Sequence, residues 1–132
     1  MALSEVEHAA AIRTLLDAAL VGATQSWHAY DYDDVPDDLP SNYAVVTVTR
    51  RYADDFRFNY ARVLVGYRLT TLAVGLTVDS TRWVRDRIAV ALNDKPLTLN
   101  DQPTTPVRFE TENPIEWDDG RYSGATSWTY AL

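Results

Sequence analysis

The chain has 132 residues and 46% hydrophobic side chains, enough for one domain with a single core and too few for two. It contains no cysteine, which excludes a disulfide scaffold, a thiolate metal site and a cysteine nucleophile. Twelve basic residues stand against 19 acidic ones, and the net charge of −7 disfavours a general nucleic-acid binder or a protein of anionic membrane surfaces. Residues 1–20 have no basic n-region, so we expect no signal peptide, and no apolar run is long enough to span a bilayer.

The basic residues are almost all arginine, with Lys95 the only lysine. Arginine favours bidentate pairs at protein interfaces, but codon bias in a GC-rich genome explains the same composition.

The first predicted element is a helix over residues 4–21. Ser4 and Glu7 fit a capping box at its start, and Gly22 fits its end. Apolar residues recur at helical spacing and predict one buried stripe, made of Ile12, Leu15, Leu16, Ala19 and Leu20. The same spacing places His8 on the exposed side.

An acidic, proline-containing segment follows over residues 27–41, with a short strand predicted at 27–30. Its carboxylates are Asp31, Asp33, Asp34, Asp37 and Asp38. A calcium loop would need a turn-forming glycine and a terminal glutamate, and this segment has Pro36 instead. We therefore expect either a loop that touches a partner chain or a solvated loop.

A long antiparallel hairpin is predicted next. Residues 43–52 are dense in β-branched side chains, and residues 62–77 form a second strand in which Gly66 and Gly75 indicate a bulge or a close approach. The tip, residues 53–61, is rich in aromatic and arginine side chains, which are typical of interfaces, although a local cluster is the alternative. These side chains are Phe56, Arg57, Phe58 and Tyr60, with Arg62 close by.

A second helix is predicted over residues 80–93, with Arg82 and Asp86 as an ion pair. Its buried stripe is Val84, Ile88, Ala91 and Leu92. Short segments at 97–99 and 107–111, a turn at 118–120 and a strand over 121–132 complete the chain. Alternation in this last strand predicts one mainly buried face, made of Tyr122, Thr126, Trp128, Tyr130 and Leu132.

The order of these elements predicts a single α+β domain over residues 1–132: two layers, with an antiparallel or mixed sheet and two helices on one face. We expect no enzyme, since neither His8 nor His28 has a nucleophile at a catalytic spacing. Nothing fixes a separation within the acidic run Glu110, Glu112, Glu116, Asp118 and Asp119, as paired catalytic carboxylates require. No cofactor and no metal site is predicted.

Three stretches resemble tail terminator proteins of long-tailed phages (siphoviruses) of actinobacteria. They are YAVVTVTRR at residues 43–51, WVRDR at 83–87 and YSGATSWTYAL at 122–132, within a resemblance that runs from about residue 33 to 132. These are structural patterns rather than catalytic ones, and neighbouring neck proteins of the virion could share them.

The resemblance implies a virion protein, assembled in the host cytoplasm, that forms a homohexameric ring. Such a ring caps the tail tube and joins it to the head-closure or connector complex, and DNA passes through its lumen without specific binding. A heterologous ring contact joins two different patches. The acidic loop over residues 31–38 could form one patch. The other patch, of opposite charge, would be Arg50, Arg51, Arg62 and Arg68.

Two alternatives remain open at this point. A head-closure or other neck connector subunit would also form a ring, but in contact with the portal. A small-molecule-binding α+β domain would instead line a concave pocket with tryptophan and tyrosine side chains.

Overall fold

The computed structural model describes residues 5–19, 28–31, 42–52, 66–99, 101–118 and 120–132. The helices in these ranges are α1 (Glu5–Ala19) and α2 (Val78–Leu92). The strands are β1 (His28–Asp31), β2 (Tyr43–Tyr52), β3 (Gly66–Gly75), β4 (Pro96–Leu99), β5 (Gln102–Pro106), β6 (Arg108–Glu112), β7 (Glu116–Asp118) and β8 (Arg121–Ala131). The predicted α+β class is confirmed. Neither helix of this part of the chain is long and apolar enough to cross a membrane.

The main sheet has the strand order β1-β2-β3-β8-β6, and β7 pairs with β8 at the same edge as β6. β1 runs parallel to β2, and every other neighbouring pair is antiparallel. β2 and β3 form the predicted hairpin, whose register shifts by one residue close to Gly66, where the sequence indicated a bulge. β4 and β5 form a separate two-stranded sheet.

Both helices cover one face of the sheet, as predicted. α1 lies over β1 and β2, while α2 lies over β3 and β8. Because strand side chains alternate between faces, every second residue of β2, β3 and β8 points toward the helices. We call this the helix-covered face: Ala44, Val46, Val48, Tyr67, Leu69, Thr71, Ala73, Gly124, Thr126, Trp128 and Tyr130, all of them buried.

The helices complete the core with residues spaced three or four apart. Ile12 and Leu16 are fully buried in α1, and α2 contributes Val84, Ile88 and Leu92. Ala91, predicted in the same stripe, is half-buried. Arg82 pairs with Asp79 at 3.3 Å rather than with Asp86, and both side chains are well exposed.

α2 begins two residues earlier than predicted, because Thr77 acts as its N-cap. The Thr77 hydroxyl accepts a hydrogen bond from the Ser80 backbone N–H, and the Ser80 hydroxyl accepts one from the Thr77 backbone N–H. β3 ends beforehand at Gly75, where a Cβ atom would lie 2.7–2.8 Å from Ser80 Oγ, Asn42 Oδ1 and Thr81 Oγ1. The close approach predicted for Gly75 is confirmed.

Two predictions for α1 are wrong. His8 was placed on the exposed side, but it is fully buried, because Tyr130 reaches across from β8 and meets its imidazole. Leu15 was assigned to the buried stripe, but it is 38% exposed at the margin of the helix. Helical periodicity locates a stripe to within one residue on either side, and tertiary packing decides its borders.

The sequence reading also missed β5 and β7. β5 contains Pro103 and Pro106, which lack the N–H that a central strand requires, and among the described strands it pairs with β4 alone. β7 has three residues, and β8 is its one partner strand in the described part of the chain. Strands of this kind form on a partner that the local sequence does not reveal.

Candidate interaction surfaces

The predicted interface residues fall into two groups. Asp31 ends β1, Arg50 and Arg51 lie near the end of β2, and Arg68 lies on β3. The others lie outside the described residues: Asp33, Asp34, Asp37, Asp38, Phe56, Arg57, Phe58, Tyr60 and Arg62. The pairing of the acidic loop with the arginine set therefore stays a prediction.

Arg68 binds a carboxylate of its own chain. Its Nε donates to Glu110 Oε1 at 2.9 Å, and a second guanidinium nitrogen lies 3.3 Å from Glu110 Oε2. The two side chains are 46% and 28% exposed, so the pair is screened by solvent and its contribution to stability is small. Arg50 is exposed and, within the described part of the chain, makes no ion pair.

The aromatic side chains of the helix-covered face form a buried cluster with His8. His8 Nδ1 and the Tyr130 hydroxyl share a hydrogen bond of 2.7 Å, and the Tyr67 ring stacks 5.4 Å from that of Tyr130. Burial strongly raises the pKa of Tyr130 above its ordinary value, with a smaller contribution from Tyr67. Trp128 and Tyr130 are 2% and 4% exposed, which confirms that these two rings of β8 belong to the core.

The opposite face of β2, β3 and β8 has a different character. Its middle rows are uncharged and half-buried, with Leu72 opposite both Val45 and Ala125. The next row is hydroxylic and holds Thr47, Thr70 and Ser127. This face offers no group that could act as an acid or base in these two rows.

Tyr43, the first residue of β2, lies at one end of that face. The Arg121 guanidinium lies 5.4 Å from the centre of its ring, and Tyr30 meets it edge-on. Burial raises the pKa of Tyr43, the nearby positive charge of Arg121 lowers it, and the net direction is upward.

At the edge beside β8, as far as the described strands define it, two large aromatic rings are exposed. We call β6, residues 113–115 and β7 together the rim. Phe109 is 53% exposed and Trp117 is 59% exposed, and each ring meets a β8 ring edge-on, at Trp128 and Tyr122. Half-exposed aromatic rings on a strand edge are the kind of side chain that dominates protein interfaces.

Arg85 of α2 holds the rim to the domain. Its Nε lies 3.3 Å from Glu112 Oε1, and its Nη1 donates to the Asn113 carbonyl at 3.1 Å. Glu112 also accepts a hydrogen bond from the Thr126 hydroxyl. The guanidinium passes over Gly124, where a Cβ atom would lie 3.0 Å from Nη1. The sequence did not indicate that an arginine of α2 would bind a carboxylate of the acidic run.

A shallow groove of about 340 Å³ separates α1 from β4. It is lined by Ala11, Thr14, Leu15 and the four residues of β4. The lining is mainly apolar, and the Thr14 hydroxyl already donates to the Ala10 carbonyl. Few polar groups converge in this groove, whereas ligand sites generally need them to orient a bound molecule. Within the described ranges, no three histidine or acidic side chains lie close enough together to hold a metal ion.

A scan against protein-family models finds no match, and a search of the curated proteins finds none either. Solved structures do resemble the fold. One, known by a sequence identifier alone, is 11% identical with a TM-score of 0.67, and the match covers 98% of this chain and 96% of that one. Another, a chain from the virion of a native gene transfer agent particle, is 16% identical with a TM-score of 0.66. That match covers 92% of this chain and 91% of the other. At these identities the likeness establishes a shared fold.

Proposed function

We propose that the chain is a structural protein of a virion and, more specifically, the subunit of a tail terminator ring. The observation that carries the proposal is the likeness to a chain of the gene transfer agent virion, which extends over 92% of this chain. Since the match leaves little of either chain unmatched, it compares whole domains rather than a shared motif.

The residues that resemble tail terminators support the finer assignment. They fall on the elements that frame the domain: residues 43–51 lie in β2, residues 83–87 in α2, and residues 122–132 cover most of β8. The resemblance therefore concerns the elements that build the sheet and the helix above it.

The proposed role depends on surfaces, with no catalytic step. Six copies would close a ring on the tail tube and present its other side to the head-closure or connector complex. The net charge of −7 suits a lumen through which DNA passes, because a basic lining would attract the phosphates and slow their passage. The exposed rings of Phe109 and Trp117 suit contacts with other chains.

The mass of the purified protein in solution tests the proposal. Light scattering after size-exclusion chromatography should give about six times 14.9 kDa, roughly 90 kDa. The reading frame directly downstream should encode a tail tube protein, and co-expression with that product should yield the ring bound to tube. A chain that stays at 14.9 kDa both alone and with that product contradicts the proposal.

The alternatives predict other outcomes. A head-closure or other neck connector subunit would form a ring that binds the portal and not the tube. A small-molecule-binding domain would remain a monomer or dimer and would protect the groove between α1 and β4 when its ligand binds. Labelling of L15C on the groove wall measures that protection directly.

A further inference from the structure

The two exposed aromatic rings of the rim lie on the same side of the sheet. Phe109 stands opposite Trp128 of β8, and Trp117 stands opposite Tyr122. Trp128 and Tyr122 are an even number of residues apart, so both point toward the helices, and so do the two rim residues paired with them. At about 3.4 Å per residue, the rings of the rim lie about 20 Å apart along the edge. The rim therefore presents two apolar anchors on its helix side.

Contacts within the domain hold both rings in place. The Phe109 ring meets Trp128 edge-on with the ring centres 6.0 Å apart, and the Trp117 ring meets Tyr122 edge-on at 4.9 Å. Arg85 ties the segment between the two rings to α2. A side chain that is already held loses little conformational entropy on binding, so more of its contact energy contributes to affinity. Both rings remain more than half exposed, so this area is open to another molecule.

The backbone of the rim is poorly suited to accept an added strand. Its register with β8 shifts once within β6. Further along, the Asn113 N–H donates to the Ala125 carbonyl at 2.8 Å. The next pair is Glu116 with Ser123, so two rim residues stand opposite a single residue of β8, and one of the two is a proline without an N–H. Because bulges, proline and charged side chains keep sheet edges from pairing, a partner meets the rim through side chains.

Acidic side chains accompany the two rings. Residues 108–118 contain four acidic residues and one arginine. Glu110 and Glu112 each bind one arginine of their own chain and stay 28% and 40% exposed, so they can face a second cation. Glu116 is exposed and has no ion pair among the described residues. Even with the bound arginines counted, carboxylates are in excess, so the rim attracts a basic partner and repels the rim of a second copy.

We propose that the helix side of the rim is the docking site for a basic segment of another protein of the virion. Apolar side chains of that segment pack on Phe109 and Trp117, and the indole can also stack on a guanidinium. Its arginine or lysine side chains pair with Glu112 and, across the edge, with Glu116. This inference rests on the proposed virion function, and it names the surface with which the subunit meets a protein other than itself.

A short labelled peptide supplies this chemistry in a defined form. The probe alternates arginine and leucine and is roughly eight residues long, enough to span both rings when extended. One control peptide has glutamate in place of arginine, and the other has glycine in place of leucine. Fluorescence anisotropy measures binding to the purified protein. We expect the arginine–leucine peptide to bind roughly tenfold more tightly than either control, and more weakly as the salt concentration rises.

Matched variants locate the binding site. Trp117→Ala should weaken binding of the arginine–leucine peptide roughly tenfold or more, because it removes an aromatic anchor. Val90→Ala, at a 65% exposed position of α2, is its control and should leave binding unchanged. Glu116→Gln should weaken binding about twofold to fivefold. Asp79→Asn removes the same charge from a side chain that is 92% exposed on α2, and it should have a smaller effect. Circular dichroism of each variant checks that it is folded.

Thiol labelling shows whether a second copy covers the rim instead. The chain has no cysteine, so Thr111→Cys places a single thiol on an exposed position of β6. V90C, at the exposed position of α2, is the reference. The ratio of the two labelling rates with a maleimide should be the same in samples that light scattering shows to be ring and to be monomer.

Three outcomes overturn the inference: equal binding of the three peptides, equal binding by W117A and the unchanged protein, or protection of T111C in the oligomer. Protection would mean that a second copy occupies the rim. A six-subunit mass without binding of the arginine–leucine peptide rejects this docking site and leaves the ring intact. A monomer that binds the peptide through Trp117 rejects the ring and supports the docking site.

Discussion

The helix-covered face and the rim use similar aromatic side chains in opposite ways. Trp128 and Tyr130 are almost fully buried, and their polar atoms meet Thr71 and His8 inside the domain. Phe109 and Trp117 touch the same strand, yet more than half of each is exposed. The difference is position: central strands are covered by helices, while edge strands have one free side. Stability is concentrated under the helices, whereas the rim leaves large aromatic rings in contact with solvent.

The largest expected effect follows from removing the central ring of the buried layer. Trp128→Ala should lower the free energy of unfolding by about 3–5 kcal/mol, because it opens a cavity and leaves the Thr71 hydroxyl without its indole donor. Urea denaturation measures the loss. Thr129→Ala, on the opposite face, is the control and should change stability by about 0.5 kcal/mol or less. Similar losses for both variants would contradict the difference between the two faces.

Crowding the turn before α2 should have the next largest effect. In Gly75→Ala the new methyl group would overlap Ser80 Oγ, Asn42 Oδ1 and Thr81 Oγ1, so these side chains, two of them in the first turn of α2, must move. We expect a loss of about 1–3 kcal/mol in the free energy of unfolding. Gly120→Ala, at a turn where nothing lies within 4 Å of the new atom, tests only the cost of a positive φ. An unchanged G75A protein would refute the close approach.

The His8–Tyr130 hydrogen bond should be visible in the pH dependence of stability. Tyr130→Phe should cost about 1–2 kcal/mol at neutral pH, because His8 loses a buried partner. Burial raises the pKa of Tyr130, so the unfolded chain releases this proton near pH 10 while the folded chain retains it. Stability from this group is therefore present below about pH 10 and is lost as pH rises above it.

Chemical denaturation between neutral and alkaline pH measures this effect. Tyr130→Phe should make the alkaline loss shallower than in the unchanged protein. Tyr43, whose pKa is also raised, contributes in the same direction, so the loss should not vanish. Identical alkaline slopes for Y130F and the unchanged protein would contradict a role for Tyr130.

The smallest effect on global stability is expected at the rim. Arg85→Ala should cost about 1 kcal/mol, since Glu112 is 40% exposed and solvent screens the pair. Locally the change should be larger: amide hydrogen exchange of residues 111–116 should accelerate, because their tie to α2 is lost. Arg82→Ala, which removes only an exposed pair with Asp79, is the control and should leave that exchange unchanged. Equal exchange in both variants would show that Arg85 does not hold the rim.

Much of the frame could be read from local pattern. β2 has the predicted bounds, since five of its ten residues are β-branched and the strand pattern is unbroken. Alternation along β8 located Thr126, Trp128 and Tyr130 on the buried face. The start of α2 was predicted two residues too late, because Thr77, its N-cap, was counted in the preceding strand. These elements carry their signal within a dozen residues, so no distant contact was needed to find them.

The interface residues and the contacts of the rim were predicted less completely than the helices and strands. Arg50 and Arg68 were singled out as interface residues, but the ion pair between Arg68 and Glu110 joins positions 42 residues apart. Nothing in the acidic run indicated that Arg85 would hold Glu112, or that Phe109 and Trp117 would lie on the same edge. One sequence signal could have located these rings. Phe109 and Trp117 each stand between charged residues in a short segment, a pattern typical of a strand with little cover.

Composition and periodicity by themselves determined that this is an acidic, cysteine-free α+β domain with one apolar layer, because burial of apolar residues at fixed spacing is a local property of the chain. Tertiary structure alone decided that His8 is interior, that β5 and β7 are strands, and that β6 lies at an edge of the sheet formed by the described strands. Each of these depends on which segments become neighbours, and that is settled by long-range packing of the whole core.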